Sequence, residues 1–120
     1  MSKKILVVDD DPVQQQHISN LLSSVDAELV LAANGQQGIA KALEELPDLI
    51  LMDVVMPEVD GFAACRQISS AAETRNIPVV IVSSKNQEAD RVWAQLQGAK
   101  AVIAKPFTDQ ELLARVNEFL

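Results

Sequence analysis

Three aspartates in a row, Asp9-Asp10-Asp11, end an apolar run that starts at Ile5, and a fourth, Asp53, ends another, Leu49–Met52. Two later runs end in complementary groups: Val79–Val82 in Ser83-Ser84, and Ala101–Ala104 in Lys105. A carboxylate gains nothing from packing, and burying its charge unpaired is costly, so Asp53 belongs at an exposed strand tip. If Asp9, Asp10 and Asp53 are brought close they repel one another, which raises carboxylate pKa values and lowers stability. A hard divalent cation relieves that repulsion. Mg²⁺, which takes one or two carboxylates plus waters, suits the set and draws in phosphate oxygens. A carboxylate in such a site can attack phosphorus and form an acyl phosphate. Phosphoryl transfer needs positioning and charge neutralisation more than covalent help, and a lysine and a hydroxyl at neighbouring strand ends supply both.

The elements that would position these groups follow from periodicity. The short apolar runs Ile5–Val8, Leu29–Ala32, Leu49–Met52, Val79–Val82 and Ala101–Ala104 read as strands. Between them lie stripes at helical spacing: Ile18, Leu21, Leu22, Val25; Ile39, Ala42, Leu43, Leu46; Ala64, Cys65, Ile68; Ala89, Val92, Trp93, Leu96; and Leu112, Leu113, Val116, Leu120. Punctuation agrees. Asp11-Pro12 reads as an N-cap with proline in the first turn. Asn34-Gly35 and Pro47 bracket the second helix, Gly98 suits a C′ position, and Thr108-Asp109-Gln110-Glu111 fits a capping box. Strand and helix alternating five times predict a parallel sheet covered on both faces, and the continuous apolar strands fit burial from both sides. In such sheets the functional crevice lies beyond the carboxyl ends of the strands. If the first, third, fourth and fifth strands are neighbours, the aspartates, Ser83 and Lys105 meet at one rim.

Composition sets outer limits. One domain is expected over residues 1–120, long enough to bury a core. A net charge of −7 argues against direct nucleic-acid binding and against adhesion to anionic lipid. A single cysteine leaves no internal disulfide or cysteine-cluster zinc site. The N-terminal apolar run is too short for a signal peptide, and no stretch approaches the roughly 20 apolar residues that span a bilayer. A cytoplasmic address is expected.

With these residues in place the chain resembles a CheY-like receiver domain, the phosphorylatable module of bacterial response regulators, over essentially its whole length. The resemblance rests on VVDD at residues 7–10, the LMD…MP stretch from Leu51 to Pro57, Asp60-Gly61-Phe62, the strand ending in Ser83-Ser84, and Lys105-Pro106-Phe107. Each string is weak alone; the ordered set is specific. It implies a (βα)5 flavodoxin-like doubly wound sheet in strand order 2-1-3-4-5 and a cis bond between Lys105 and Pro106. It implies Asp53 as phosphoacceptor. Mg²⁺ would be held by Asp10, Asp53 and the Val55 carbonyl, with Asp9 acting through water. Ser83 and Lys105 would bind the phosphoryl group. It further implies a histidine kinase or phosphotransfer domain as donor, and a downstream protein docking on the face of helix four, strand five and helix five. The stretch from Asn76 to Pro106 is similar to stand-alone receivers of pilus-dependent, chemotaxis-like motility systems.

Two positions depart from the family pattern. Many receivers carry an aromatic residue three before the lysine, where it rotates with activation; here Val102 stands there, and the chain has no tyrosine. The signal must then leave by another route, through the loop after Ser83 or helix four. Val55, two residues after Asp53, replaces a polar side chain that helps to organise the hydrolytic water, and Lys85 is a second candidate to tune the phosphoryl group's lifetime. Taken singly, each residue has a plainer reading: Asp10 and Asp11 as helix caps, Asp53 as a turn residue, Lys105 as a solvated lysine, Ser83 and Ser84 as loop formers. His17 reads as structural and not as a phosphodonor, Cys65 as a core residue, and Trp93 as partly packed on the sheet. A flavodoxin-like electron carrier is disfavoured because the acidic first loop repels FMN phosphate. A phosphatase using Asp9 and Asp11 leaves Asp53 unexplained. A pseudo-receiver that docks without phosphorylation is the alternative that remains, and no enzymatic activity toward a separate substrate is expected.

Overall fold

The computed structural model describes residues 3–56 and 59–120, so Pro57 of the LMD…MP stretch lies outside the described residues. Five strands alternate with five helices: β1 Lys3–Val8, α1 Pro12–Leu22, β2 Ala27–Ala32, α2 Gly35–Glu45, β3 Leu49–Met52, α3 Gly61–Ser70, β4 Val79–Ser83, α4 Glu88–Leu96, β5 Ala101–Ala104 and α5 Asp109–Phe119. All strand pairs are parallel and the order is 2-1-3-4-5. The predicted third and fifth strands coincide with β3 and β5, and the other three fall short of the observed ones by a residue or two at one end.

Each central strand feeds two cores because successive side chains point to opposite faces. Leu6, Val8, Ile50, Met52, Val79 and Ile81 pack with Ala42 of α2, Ala64, Cys65 and Ile68 of α3, and Ala94 of α4. Ile5, Val7, Leu49, Leu51, Val80 and Val82 pack with Ile18 and Leu22 of α1 and with Leu112 and Val116 of α5. Two helices therefore cover one face and three the other. Cys65 sits in the core as expected, fully buried.

The helix starts follow the sequence. Asp11, Asn34 and Asp60 accept from backbone N–H groups of α1, α2 and α3, and Thr108 and Glu111 form the expected capping box on α5. Gly98 follows α4 with φ +101°, the left-handed conformation expected of a C′ glycine. Leu46 closes α2 with φ 46°, a left-handed position taken by a non-glycine residue.

One predicted helix face is met in part and another is inverted. On α2, Ala42 is buried and Ile39 packs against the core as expected, but Leu43 and Leu46 are exposed; Gly35 and Gly38 also turn inward, Gly38 against Val8 of β1 and Gly35 against the Val59 carbonyl. On α4 the inversion is nearly complete. Ala94 alone is buried, while Val92, Trp93 and Leu96 are 52%, 50% and 71% exposed, and Ala89 is exposed as well. Spacing defines a stripe but not the side on which it finds a partner. Here a single small residue seats the helix, and the larger apolar side chains face outward.

Candidate functional site

β1 and β3 lie side by side at the centre of the sheet, with Val8 opposite Met52. β1 connects onward to β2 on one flank, and β3 leads to β4 on the other, so the gap between them is the topological switch point. The next residue on each strand is an aspartate. The Asp9 N–H donates to the Ala32 carbonyl at 3.1 Å and the Asp53 N–H to the Val8 carbonyl at 2.9 Å. The ladder thereby delivers both carboxylates to one place. Ligand oxygens of Asp9, Asp10 and Asp53 lie within 4.8 Å of one another.

The three carboxylates are held differently. Asp9 is 2% exposed; its Oδ1 accepts the Asp11 N–H at 2.9 Å and its Oδ2 accepts Lys105 Nζ at 3.1 Å. Asp53, expected at an exposed strand tip, is instead buried and paired, its Oδ1 accepting the Val54 N–H at 2.8 Å, with Lys105 Nζ at 3.7 Å. Asp10 is exposed at the mouth. Burial pushes the Asp53 carboxyl above its ordinary range, helped by the negative charges of Asp9 and Asp10 and opposed by Lys105 and the Val54 amide. One ammonium against three carboxylates leaves the cluster short of positive charge. The donor set is all oxygen, closely spaced and open on the Asp10 side, which fits a hard divalent cation.

α3 presses on this site from behind. The Gly61 N–H donates to the Val54 carbonyl at 2.9 Å, and a Cβ at Gly61 would collide with the Asp53 carbonyl. Ser83 ends β4 fully buried, its Oγ accepting the Lys85 N–H at 3.0 Å, and its carbonyl takes the Lys105 N–H, also at 3.0 Å. β5 thus brings Lys105 into line through β4. The Lys105–Pro106 bond is cis, as the resemblance implies.

Lys85 and Val55 stand at the periphery. The Lys85 ammonium pairs with Asp90 of α4 at 2.9 Å, and the Val55 side chain is 63% exposed in the loop after Asp53. Val102 is half-buried on β5 opposite Ile81. His17 is exposed and stacks on Phe107 with centroids 5.7 Å apart, a packing role.

Two polar residues missed in the sequence also bind these loops. Gln15 of α1 donates from Nε2 to the carbonyls of Asp9 and Ala32. Arg91 of α4 donates from Nε to the Asn86 carbonyl at 3.0 Å and from Nη1 to the Val102 carbonyl at 3.2 Å. Asn86 in turn donates to the carbonyls of Ser83 and Ser84. For Gln15 the sequence held one signal: carbonyls where strands end seek partners beyond the ladder, and a glutamine one turn into the next helix is long enough to reach them.

Comparison with known proteins agrees with this geometry. The model of the response regulator receiver domain matches residues 5–117. Protein PilH of Pseudomonas aeruginosa is 43% identical over 117 residues, spanning 98% of this chain and 97% of that protein. Among solved structures, the chemotaxis protein CheY4 of Vibrio cholerae superposes with a TM-score of 0.93 at 27% identity, covering all of both chains. The receiver domain of the sensor histidine kinase PA1611 of Pseudomonas aeruginosa, solved with a magnesium ion coordinated in its active-site cleft, superposes at 0.90 with 31% identity, over 99% of this chain and 98% of that one. The chain belongs to the response regulator receiver domain family of two-component signalling.

Proposed function

We propose that Asp53 accepts a phosphoryl group from a phosphohistidine on a histidine kinase or phosphotransfer domain, and that the phosphorylated chain signals by docking to a partner protein. The observation that carries this reading is the meeting of Asp53 with Asp9, Asp10 and Lys105 at the switch point of the sheet. An Asp53 carboxylate oxygen forms the new bond to phosphorus as the P–N bond of the donor breaks, its electron pair leaving on the imidazole. The Lys105 ammonium, already between Asp9 and Asp53, is placed to pair with the phosphoryl oxygens. The Ser83 hydroxyl keeps its own hydrogen free while accepting from Lys85, so it can donate to a second one. Asp10, Asp53 and the Val55 carbonyl would hold Mg²⁺, with Asp9 supporting it through water. The ion, when bound, neutralises charge on the carboxylates and the transferring group. The transfer is self-catalysed, and no separate substrate is turned over.

The output face we assign to α4, β5 and α5. A cavity of about 490 Å³ lies there, lined by Arg91, Val102, Ala104, Glu111 and Arg115 among others. Elsewhere on α4, Val92 and Leu96 expose apolar area of the kind a protein contact requires, and Trp93 lines a separate pocket toward α3 with Phe62 and Gln67. With valine at position 102, Arg91 and Asn86 form the hydrogen-bonded route from Ser83 to β5. A role in pilus-dependent, chemotaxis-like motility is supported by the near full-length identity of 43% to Protein PilH and by the full-length superposition on a chemotaxis protein.

Incubation with Mg²⁺ and acetyl phosphate, read by intact mass, tests the assignment. Wild type should gain one phosphoryl group and Asp53→Asn none, with both folded by circular dichroism. A gain that persists in Asp53→Asn overturns Asp53 as acceptor. A folded wild type that never gains mass leaves the domain as a docking module that works without phosphorylation.

A further inference from the structure

Asp10 is the carboxylate of the acidic cluster with the least to hold it. It is exposed, and among the described residues no hydrogen bond reaches its side chain, whereas Asp9 is fixed by Asp11 and Lys105 and Asp53 by Val54 and Lys105. Repulsion from the other two aspartates favours swinging it into water. Its backbone, however, is clamped. Gln15, half-buried in the second turn of α1, donates from Nε2 to the Asp9 carbonyl at 2.7 Å and to the Ala32 carbonyl at 2.9 Å. The Asp9 carbonyl belongs to the peptide that joins Asp9 to Asp10. That peptide is planar, so fixing its oxygen fixes the plane from which the Asp10 Cα departs. Ala32, the other acceptor, ends β2 and already takes the Asp9 N–H at 3.1 Å. One carboxamide thus ties the acidic loop to the ends of both strands on that side of the crevice. On the far side of Asp10, the Asp11 N–H returns to Asp9 Oδ1 at 2.9 Å.

We propose that Gln15 is a positioning residue of the divalent-cation site, holding the Asp9–Asp10 peptide so that the Asp10 carboxylate stays beside Asp9 and Asp53 before the cation arrives. The inference rests on the cation site described under the proposed function. Gln15 touches neither cation nor phosphoryl group. It acts by sparing the binding step the ordering of a repelled carboxylate, as partners of metal ligands do elsewhere.

Calorimetric titration of Mg²⁺ into the metal-free protein tests it. Gln15→Met keeps the length and removes both donors; Ile18→Val trims the buried face of the same helix without touching the loop. Gln15→Met should weaken Mg²⁺ binding about tenfold, the low end of what such supporting partners are worth, and Ile18→Val should stay within about twofold. Amide resonances of Asp10 and Asp11 should broaden or shift in metal-free Gln15→Met and remain in place in Ile18→Val. If Gln15→Met melts below the assay temperature, Gln15→Asn, whose amide falls one methylene short, takes the same reading. A variant that binds Mg²⁺ as tightly as wild type but melts lower makes Gln15 a structural tie only and overturns the proposal. A wild type that binds no Mg²⁺ overturns the cation site itself and the positioning role with it.

Discussion

Gly61→Ala isolates how closely α3 is fitted against Asp53. Gly61 begins α3 in a helical conformation, so alanine is not excluded by backbone angles; the objection is steric. A Cβ there would collide with the carbonyl of Asp53 and press on the Val54 Cα at 2.8 Å, both of them backbone atoms that cannot rotate aside. The first turn is pinned as well, by the Gly61 N–H on the Val54 carbonyl at 2.9 Å and by Asp60 Oδ1 accepting the Ala63 N–H at 2.9 Å. Overpacking of this kind costs about 1–3 kcal/mol, and losing the Gly61 hydrogen bond adds about 1 kcal/mol. Alanine returns up to about 1 kcal/mol through helix propensity, less at a helix end. The net loss is about 2–3 kcal/mol, which for a domain of this size lowers Tm by about 8–12 °C. The same displacement moves Asp53, so phosphoryl uptake from acetyl phosphate should fall even at temperatures where the variant is fully folded. Thermal melts and intact mass measure the two effects separately. A variant that melts with wild type and takes up phosphoryl at the wild-type rate would show that α3 can retreat without moving Asp53, and the close-approach reasoning would be wrong.

Three further outcomes follow from the site and core. Burial pushes the Cys65 thiol up to about 11 from 9.0, so the folded protein keeps a proton that the unfolded chain loses. Stability should therefore decline by about 1.4 kcal/mol per pH unit between those values, with the decline flattened in Cys65→Ala, and iodoacetamide at pH 8 should label the thiol only after denaturation. Mg²⁺ should raise Tm by binding the folded state alone, worth about 0.4 kcal/mol at a concentration equal to Kd and about 2.7 at a hundredfold excess; Asp10→Ala should lose most of that rise, and an identical rise would remove Asp10 from the ligand set. Val55 offers no hydrogen bond to a hydrolytic water, so Val55→Asn should shorten the lifetime of the Asp53 acyl phosphate about tenfold, or about 1.4 kcal/mol in barrier, measured by decay after acetyl phosphate is removed.

The sheet was legible in the sequence because buried parallel strands are written as uninterrupted apolar runs. Leu49–Met52 and Ala101–Ala104 coincide with β3 and β5, and the remaining strands extend the predicted ones by at most two residues. Chain ends of elements were legible where side chains close backbone groups, as at Asp11, Asn34 and Thr108. The direction of a helix stripe was not. α4 has the most sharply segregated faces of the helices, yet its apolar face looks outward, because a nine-residue helix in this position rests on the sheet through Ala94 and leaves the larger residues free. Periodicity reports segregation of polar from apolar residues and is blind to whether the partner belongs to the same chain.

The site divides along the same line. Asp9, Asp10, Asp53, Ser83 and Lys105 could be gathered from sequence because each ends a strand or lies within two residues of a strand's end, and a parallel sheet brings all such ends to one rim. Their bonding could not be gathered so, since it depends on residues with no strand to announce them. Lys85 shows the limit: two residues past Ser83, it reads as a second cation for the phosphoryl group, but its ammonium is taken by Asp90 in the first turn of α4. That pair, with Asn86 on Ser83 and Ser84 and Arg91 on Val102, ties the loop after β4 to α4 and β5 through polar contacts alone. A rotating aromatic would couple the site to this face by filling or vacating space. Under the proposed function, a lattice of hydrogen bonds to backbone carbonyls would couple it by geometry instead: a shift of Ser83 toward a phosphoryl oxygen would have to be followed by Asn86, and then by Arg91, or those carbonyls would lose their donors. The absence of an aromatic at position 102 is thus matched by a set of bonds that begins at Ser83, the serine proposed to bind the phosphoryl group, and ends at Val102 itself.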